Sequence, residues 1–281
     1  MSFQPVVPLS GIAGWRFLES TETSQRAAFE RSPVLEREMR HFVENIGSVT
    51  SAEALVADRT LLKVALGAFG LDDELYKTAF LERILAEGTD DKGSLANRFV
   101  DPRYQEFSRA FGFGDLAGAR TGDPGFGRRI TDAYRSRQFE VAVGDANGDM
   151  RLALGFRREI AKHAEGPGAD GAGWFRVLGS APLREVFEAA YNLPREFAGL
   201  DVDRQRDILR DKTSAMFGES ALSVFRSAEN VDSMISRLLA RRQAASGPTP
   251  GTPGMAALSL LQSGGFGAAG LTNLILSNRI G

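Results

Sequence analysis

The sequence predicts an all-α protein, an irregular multi-helix bundle with repeated short helix units, a Pro/Gly linker and an apolar C-terminal tail. Three observations support this fold class. Apolar residues recur at the three-to-four-residue spacing of helices, Ser, Thr and Asp stand where helix N-caps are needed, and one type of helix ending occurs three times. The strict alternation of apolar and polar residues that marks a strand is nearly absent.

Helix beginnings can be placed from the capping residues. Ser32 followed by a proline predicts a helix start, because Pro is favoured at the first helical position. Thr50 and Glu53 form the pattern of a capping box, and Asp58 can cap the next helix. The Asp-Pro pairs at 101–102 and 123–124 repeat the cap-then-proline pattern. Helical periodicity predicts further helices over 72–86, 126–143, 149–163, 201–216 and 229–243.

The recurring helix ending is an aromatic residue, then Gly or Asn, then a large apolar residue. Its copies are Phe69-Gly70-Leu71, Phe111-Gly112-Phe113 and Tyr191-Asn192-Leu193. Gly and Asn tolerate the left-handed conformation that ends a helix, and the apolar residue after them packs back on the last turn. We interpret these nine residues as structural helix stops, and the segments that they end as an internal repeat with unequal spacing. A similar run at 153–156 is not a stop, because helical sequence continues through it.

Composition divides the chain into five segments. They are an apolar N-terminal segment (1–15), an N-terminal helical domain (16–163), a linker (164–173), a C-terminal helical region (174–243), and a Pro/Gly linker with an apolar tail (244–281). From Ala244 onward the only charged residue is Arg279. The apolar tail residues are candidates for partner binding: Leu258, Leu261, Leu271, Leu274 and Ile275. Two interpretations stay open, a tail docked on its own chain and a tail that binds a partner or a second copy.

The composition of the 281-residue chain excludes several classes of function. There is no cysteine, so disulfides, thiol catalysis and zinc–thiolate sites are excluded. The net charge of −2 argues against nucleic acid as a partner, because nucleic-acid binding needs a basic face. No apolar run reaches the roughly 20 residues of a membrane span. Residues 1–8 lack the basic region of a secretory signal peptide, so we expect a cytoplasmic protein or one without a cleaved signal.

No motif predicts a catalytic, metal or cofactor site. The run at 145–149 resembles a calcium loop, but Met150 and Phe156 stand where that loop needs Gly and Glu. Glycines and arginines at 122–129 lack the Lys-Ser/Thr end of a phosphate-binding loop, so a helix cap is preferred there. His41 and His163 each lie one turn from a glutamate, which favours surface ion pairing. The Arg pairs at 128–129, 157–158 and 241–242 are interpreted as solvated helix faces.

Several stretches carry a family resemblance. They include Phe42-Val-Glu-Asn-Ile-Gly-Ser-Val49 and residues 65–71, 94–98, 103–104, 137–144, 151–157, 182–187 and 199–203. Together they resemble the alphaproteobacterial domain of unknown function family 1217 (DUF1217), over most of residues 20–242. The resemblance carries no catalytic residues. Because such proteins are often encoded among flagellar genes, it implies a flagellum-linked role, with flagellar components among the protein partners.

Three functional hypotheses follow. The first is a non-enzymatic helical interaction protein, cytoplasmic or flagellum-associated, that assists flagellar assembly or forms part of its structure. The second is a small-molecule-binding helical domain or an enzyme, which requires a pocket between helices with converging polar groups and shifted pKa values. The third is a cytoplasmic export chaperone.

Overall fold

The computed structural model describes residues 3–165 and 171–245, and the all-α prediction is confirmed. Within these ranges the chain forms helices joined by turns and no strand. The α-helices are α1 (Gly11–Glu30), α2 (Pro33–Asn45), α3 (Ala52–Ala57), α4 (Arg59–Phe69), α5 (Thr78–Glu87), α6 (Leu95–Arg98), α7 (Pro102–Phe111), α8 (Phe126–Ala146), α9 (Gly148–Glu165), α10 (Ala172–Gly179), α11 (Ala181–Ala190), α12 (Val202–Phe217) and α13 (Ala228–Ala245). Four 3₁₀ helices, Ile46–Ser48, Asp72–Glu74, Arg195–Gly199 and Leu222–Arg226, complete the described part. None of these helices combines the length and apolarity needed to cross a membrane.

Side-chain caps fix several helix starts. The Asp58 carboxylate accepts hydrogen bonds from two backbone N–H groups of α4, at 2.8 and 3.0 Å. Asp101 and Asp201 cap α7 and α12 in the same way. The capping box expected at Thr50 is displaced by one residue, since the hydroxyl of Ser51 accepts the bond at the start of α3. A side-chain oxygen can satisfy only the N–H groups two or three residues ahead, so this one-residue shift sets where α3 begins.

The three helix stops have two geometries. Gly70 (φ +70°) and Asn192 (φ +52°) are left-handed, and the N–H groups of Leu71 and Leu193 reach back five residues at 2.9 and 2.8 Å. These are Schellman endings. Gly112 (φ +69°) instead bonds through its own N–H to the carbonyl four residues back, at 2.9 Å. The stops therefore share backbone conformation, but the residue after Gly112 does not close the helix.

Apolar side chains form two clusters. The N-terminal core contains buried residues from 35–134, and the C-terminal core contains Trp15, Leu18 and buried residues from 139–239. Helices α1 and α9 therefore pack with the helices that follow residue 171. This division differs from the boundary expected at the 164–173 linker, because the amphipathic faces of α1 and α9 find their apolar partners in α11 and α13.

Two of the expected segments lie partly beyond the described residues. Of the linker, residues 166–170 are outside them, while the flanking residues belong to α9 and α10. The tail candidates Leu258, Leu261, Leu271, Leu274 and Ile275 also lie outside. The N-terminal segment expected over 1–15 already contains the first turn of α1, and Trp15 is buried in the C-terminal core.

Helix α8 connects the two cores. Ile130 and Tyr134 pack in the N-terminal core, and Phe139 and Val143 pack in the C-terminal core. The turn between them, residues 135–138, is Arg-Ser-Arg-Gln. This polar turn interrupts the apolar packing of the helix, and a cleft between the two cores lies beside it.

Candidate functional site

A cleft of about 410 Å³ lies where the two cores meet. Its walls are the polar turn of α8, one face of α9, the first turns of α7 and α11, the stop at Gly70 and Arg242 of α13. Helices α7, α9 and α11 all begin at this wall. The N–H groups of helix N-termini carry partial positive charge, so three helices contribute positive potential to the cleft.

Arg158 and Glu140 form a two-pronged ion pair on one wall. The Nε and Nη2 atoms of Arg158 donate to the two carboxylate oxygens of Glu140 at 2.7 and 2.8 Å. Glu140 is only 6% exposed. Helices α8 and α9 form an antiparallel hairpin through Asn147, which brings these two side chains opposite each other. The fork neutralises a carboxylate that would otherwise be buried as a bare charge.

Glu159, which follows Arg158 on α9, is surrounded by a second group of cations. Arg137 Nη2 donates to it at 2.7 Å, Arg158 Nη1 also donates to it, and Lys162 lies 3.6 Å away. Burial alone would raise the pKa of Glu159, but Arg158 and Arg137 lower it to about 2. Glu159 therefore stays ionised in the folded protein.

Arg137 is only partly compensated in the cleft, and the side chain of Arg151, which also lines it, has no hydrogen-bond partner among the described residues. Burial and the adjacent positive charge of Arg158 lower its pKa despite the bond to Glu159. Only one of its five N–H groups donates a hydrogen bond within the described residues. Its Nη1 atom lies against Gly70, where an added Cβ would be 2.8 Å away. Gly70 thus leaves space for Arg137 in addition to ending α4.

Arg103 fastens the first turn of α7 to the stop at Gly70. Its Nε and Nη2 atoms donate to the Asp101 carboxylate, and its Nη1 donates to the carbonyl of Gly70. The carbonyl groups at the end of α4 carry partial negative charge, which the guanidinium offsets. This contact fixes the width of the cleft between α4 and α7.

Three other titratable side chains line the cleft without a hydrogen-bond partner among the described residues: Glu106, Arg151 and His163. The side chain of Glu106, on α7, lines the cleft. Burial and the negative charge of Glu159 raise the pKa of its carboxyl group. Burial lowers the pKa of His163 on α9, so its imidazole is held neutral. The ion pairing expected for His163 from the sequence is not formed, because Glu159 is already bound by arginines. A carboxylate and a neutral imidazole are thus available to a ligand.

The sequence prediction identified few of these residues. Of the nine stop residues, Gly70 alone lines the cleft. The Arg pair at 157–158, expected to be solvated, is largely enclosed, with Arg157 bound to Glu22 and placed 5.3 Å over the ring of Trp15. The signal that could have identified the site is the break in the apolar pattern of α8 at residues 135–138. Within the ranges that the structure covers, no group of three His, Asp or Glu side chains is placed to hold a metal.

Comparisons with known proteins agree with the fold. A family model described as a protein of unknown function (DUF1217) matches residues 68–236, and the resemblance drawn from the sequence is thereby confirmed. The X-ray crystal structure of a protein from Agrobacterium tumefaciens, a structural genomics target, is 25% identical and superimposes with a TM-score of 0.69. The alignment covers 87% of this chain and 100% of that one. No curated protein matches the chain.

Proposed function

The chain belongs to the DUF1217 family of proteins of unknown function, and from this premise we propose that it is a non-enzymatic helical interaction protein that acts in flagellar assembly or structure. Its uncharged ends supply the binding surface. The flagellar setting rests on the gene neighbourhood that the family resemblance implies. The observation that carries the proposal is the position of the N-terminal segment beside the end of α13.

The N-terminal segment is held in place with Val6 and Leu9 outward, while Val7 packs against the C-terminal core. The backbone of Val6 exchanges two hydrogen bonds with the buried Gln25 of α1, at 2.7 and 3.1 Å. Val6 and Leu9 are nevertheless 54% and 53% exposed, and Ile12 is 40% exposed. Fixed apolar side chains that face solvent together are typical of a binding surface.

The exposed surface of the N-terminal segment lies next to the last turn of α13. Gly11 packs so closely on α13 that an added Cβ would be 2.3 Å from the side-chain oxygen of Gln243. Ala245, two residues later, is the last residue of α13. The described part of α13 therefore ends close to Gly11, and we propose that the nearly uncharged sequence 246–281 acts together with the surface formed by Val6 and Leu9.

The test is removal of each half of this surface. Truncation after Ala245 keeps α13 whole and removes the tail, and a Val6→Ser/Leu9→Ser double variant removes exposed apolar side chains without touching a core. Mass in solution, capture of partners from a flagellated host and swimming are then measured. We expect both variants to lose the same partner or self-association and to reduce swimming.

The matched control is Val100→Ser/Val202→Ser, which removes exposed valines elsewhere on the molecule. It should behave as wild type. Unchanged assembly and swimming in both test variants would exclude the ends from the mechanism. Capture of a single secreted protein by the full chain would instead favour an export chaperone.

A second candidate function is the binding of a small molecule in the cleft. The observation that favours it is the set of converging polar groups with shifted pKa values, led by Glu106, Arg137 and Glu159. The volume of about 410 Å³ is within the range of small-ligand pockets. Native mass spectrometry of the full chain, purified from its host, tests this candidate directly. A bound small molecule lost in Arg137→Gln would support it, and an empty chain that binds nothing from a metabolite extract would exclude it.

A further inference from the structure

Charged residues of both signs line the cleft, in nearly equal numbers. Five arginines and six acidic residues line it. Most are already paired: Arg158 with Glu140, Arg242 with Glu185 and Asp149, Arg103 with Asp101, and Asp72 with Gln138. Arg137 is held by Glu159 through one N–H group, and the side chain of Arg151 has no hydrogen-bond partner among the described residues. A ligand therefore meets the hydrogen-bonding groups that these pairs leave unused.

The groups with unused hydrogen-bonding capacity include charges of both signs, on different helices. Arg137, on α8, has N–H groups without an acceptor among the described residues, one of them beside Gly70, and the N-terminal turns of α7 and α11 also line the cleft. Glu106, on α7, accepts no hydrogen bond from the described residues. The two are close enough for the positive charge of Arg137 to act on Glu106. One cation and one carboxylate are thus available within a single small space.

We propose that the cleft binds a small zwitterion of the amino-acid class, with its carboxylate on Arg137 and its ammonium group on Glu106. The inference rests on the ligand-binding candidate and is independent of the role of the tail. Arginine matches a carboxylate through two parallel N–H groups. An ammonium group supplies the hydrogen bonds and the charge that Glu106 lacks.

Other ligand classes fit this cleft less well. A nucleotide or other polyanion would meet six carboxylates, and only Arg137 and Arg151 have N–H groups left to bind it. A polyamine would meet Arg137 and the positive ends of three helices. A purely apolar molecule would leave both charged groups without partners in a site of reduced hydration, which costs free energy for each. A zwitterion satisfies both at once.

The experiment is calorimetric titration of the full chain with the twenty free L-amino acids, and with acetate, methylammonium and inorganic phosphate as single-charge or polyanionic probes. We expect at least one amino acid to bind, and its amide and its N-acetyl derivative to bind at least about tenfold more weakly, since each lacks one charged hydrogen-bonding group. At 100 times its Kd the amino acid should raise Tm by about 5 °C or more.

Four variants assign the site. Arg137→Gln and Glu106→Gln should each weaken binding about tenfold or more. The controls Arg128→Gln, on the exposed face of α8, and Glu82→Gln, on α5, should leave binding unchanged. Glu106→Gln removes a charge that the fold does not pair, so it is expected to fold even if Arg137→Gln does not.

Three results would overturn the inference. The first is that no amino acid binds, and the second is that Glu106→Gln binds as tightly as wild type. The third is that acetate or phosphate alone binds as well as any amino acid and is lost in Arg137→Gln. That third result would still support ligand binding in the cleft and would refute only the zwitterionic identity of the ligand. The experiment therefore distinguishes failure of this inference from failure of the ligand-binding proposal.

Discussion

Replacing Gly70 with alanine tests how the end of α4 and the cleft depend on one another. Gly70 has φ +70°, where an L-residue is strained by about 1–2 kcal/mol. A Cβ there would also lie 2.8 Å from Nη1 of Arg137, whose Nη2 is held by Glu159 at 2.7 Å. The guanidinium must move away from its partner, and a hydrogen bond between charged groups contributes about 1.5–3 kcal/mol. We expect Gly70→Ala to reduce the free energy of unfolding by about 2.5–5 kcal/mol, the sum of the two effects.

Gly218 supplies the matched control. It ends α12 with φ +85°, and an added Cβ would meet no atom within 4 Å. Gly218→Ala should therefore show the backbone strain alone, about 1–2 kcal/mol. The difference between the two variants measures the contact with Arg137.

Urea unfolding, followed by circular dichroism, gives both values. In an Arg137→Met background the guanidinium is absent, so Gly70→Ala should cost no more than Gly218→Ala. If Gly70→Ala and Gly218→Ala were equally destabilising in the wild-type background, the steric coupling would be refuted. If Gly70→Ala unfolded like wild type, the left-handed stop itself would be refuted.

Three further predictions concern buried polar groups. Arg158→Ala should destabilise the fold by about 3 kcal/mol, because it leaves Glu140 buried without its partner; a double change of Arg158 and Glu140 to Met should recover most of that loss in the same urea assay. Tyr191→Phe should cost about 1 kcal/mol in thermal unfolding, since the hydroxyl of Tyr191 is buried at 2.7 Å from that of Thr213; no change would show that this bond is dispensable. Glu159 has its pKa lowered from 4.5 to about 2, so its contribution to stability is present above pH 4.5 and is lost as the pH falls toward 2. A Glu159→Gln variant should have a flatter acid limb in its stability–pH profile, and an unchanged limb would contradict the assignment.

Local sequence rules predicted the helices well because caps and stops act over three or four residues. The helix starts at Asp58, Asp101 and Asp201 are each determined by one carboxylate that accepts one or two backbone N–H groups. The helix expected over 72–86 was wrong at its start, where the chain forms the 3₁₀ turn Asp72–Glu74 and α5 begins only at Thr78. Asp72 is held there by Gln138 of α8, 66 residues away, which no local rule can show.

The cleft could not be predicted in the same way. Many of its pairs join residues far apart in the sequence, from 18 positions for Arg158 with Glu140 to 66 for Gln138 with Asp72. Arginines on a helix have the same sequence pattern whether they face solvent or another helix, so the 157–158 pair was interpreted as solvated. Only the packing of α8 against α9 distinguishes the two cases.

The two cores are built from different stretches of the chain, and this difference affects how the protein folds during synthesis on the ribosome. The N-terminal core is built from residues 35–134 alone, so it can close as soon as that stretch has emerged. The C-terminal core needs Trp15 from the beginning of the chain and Leu239 from near the end of α13. Helix α1 must therefore wait, with its apolar face uncovered, until more than two hundred further residues have been translated. This interval makes the nascent chain a natural client for trigger factors and other holding chaperones.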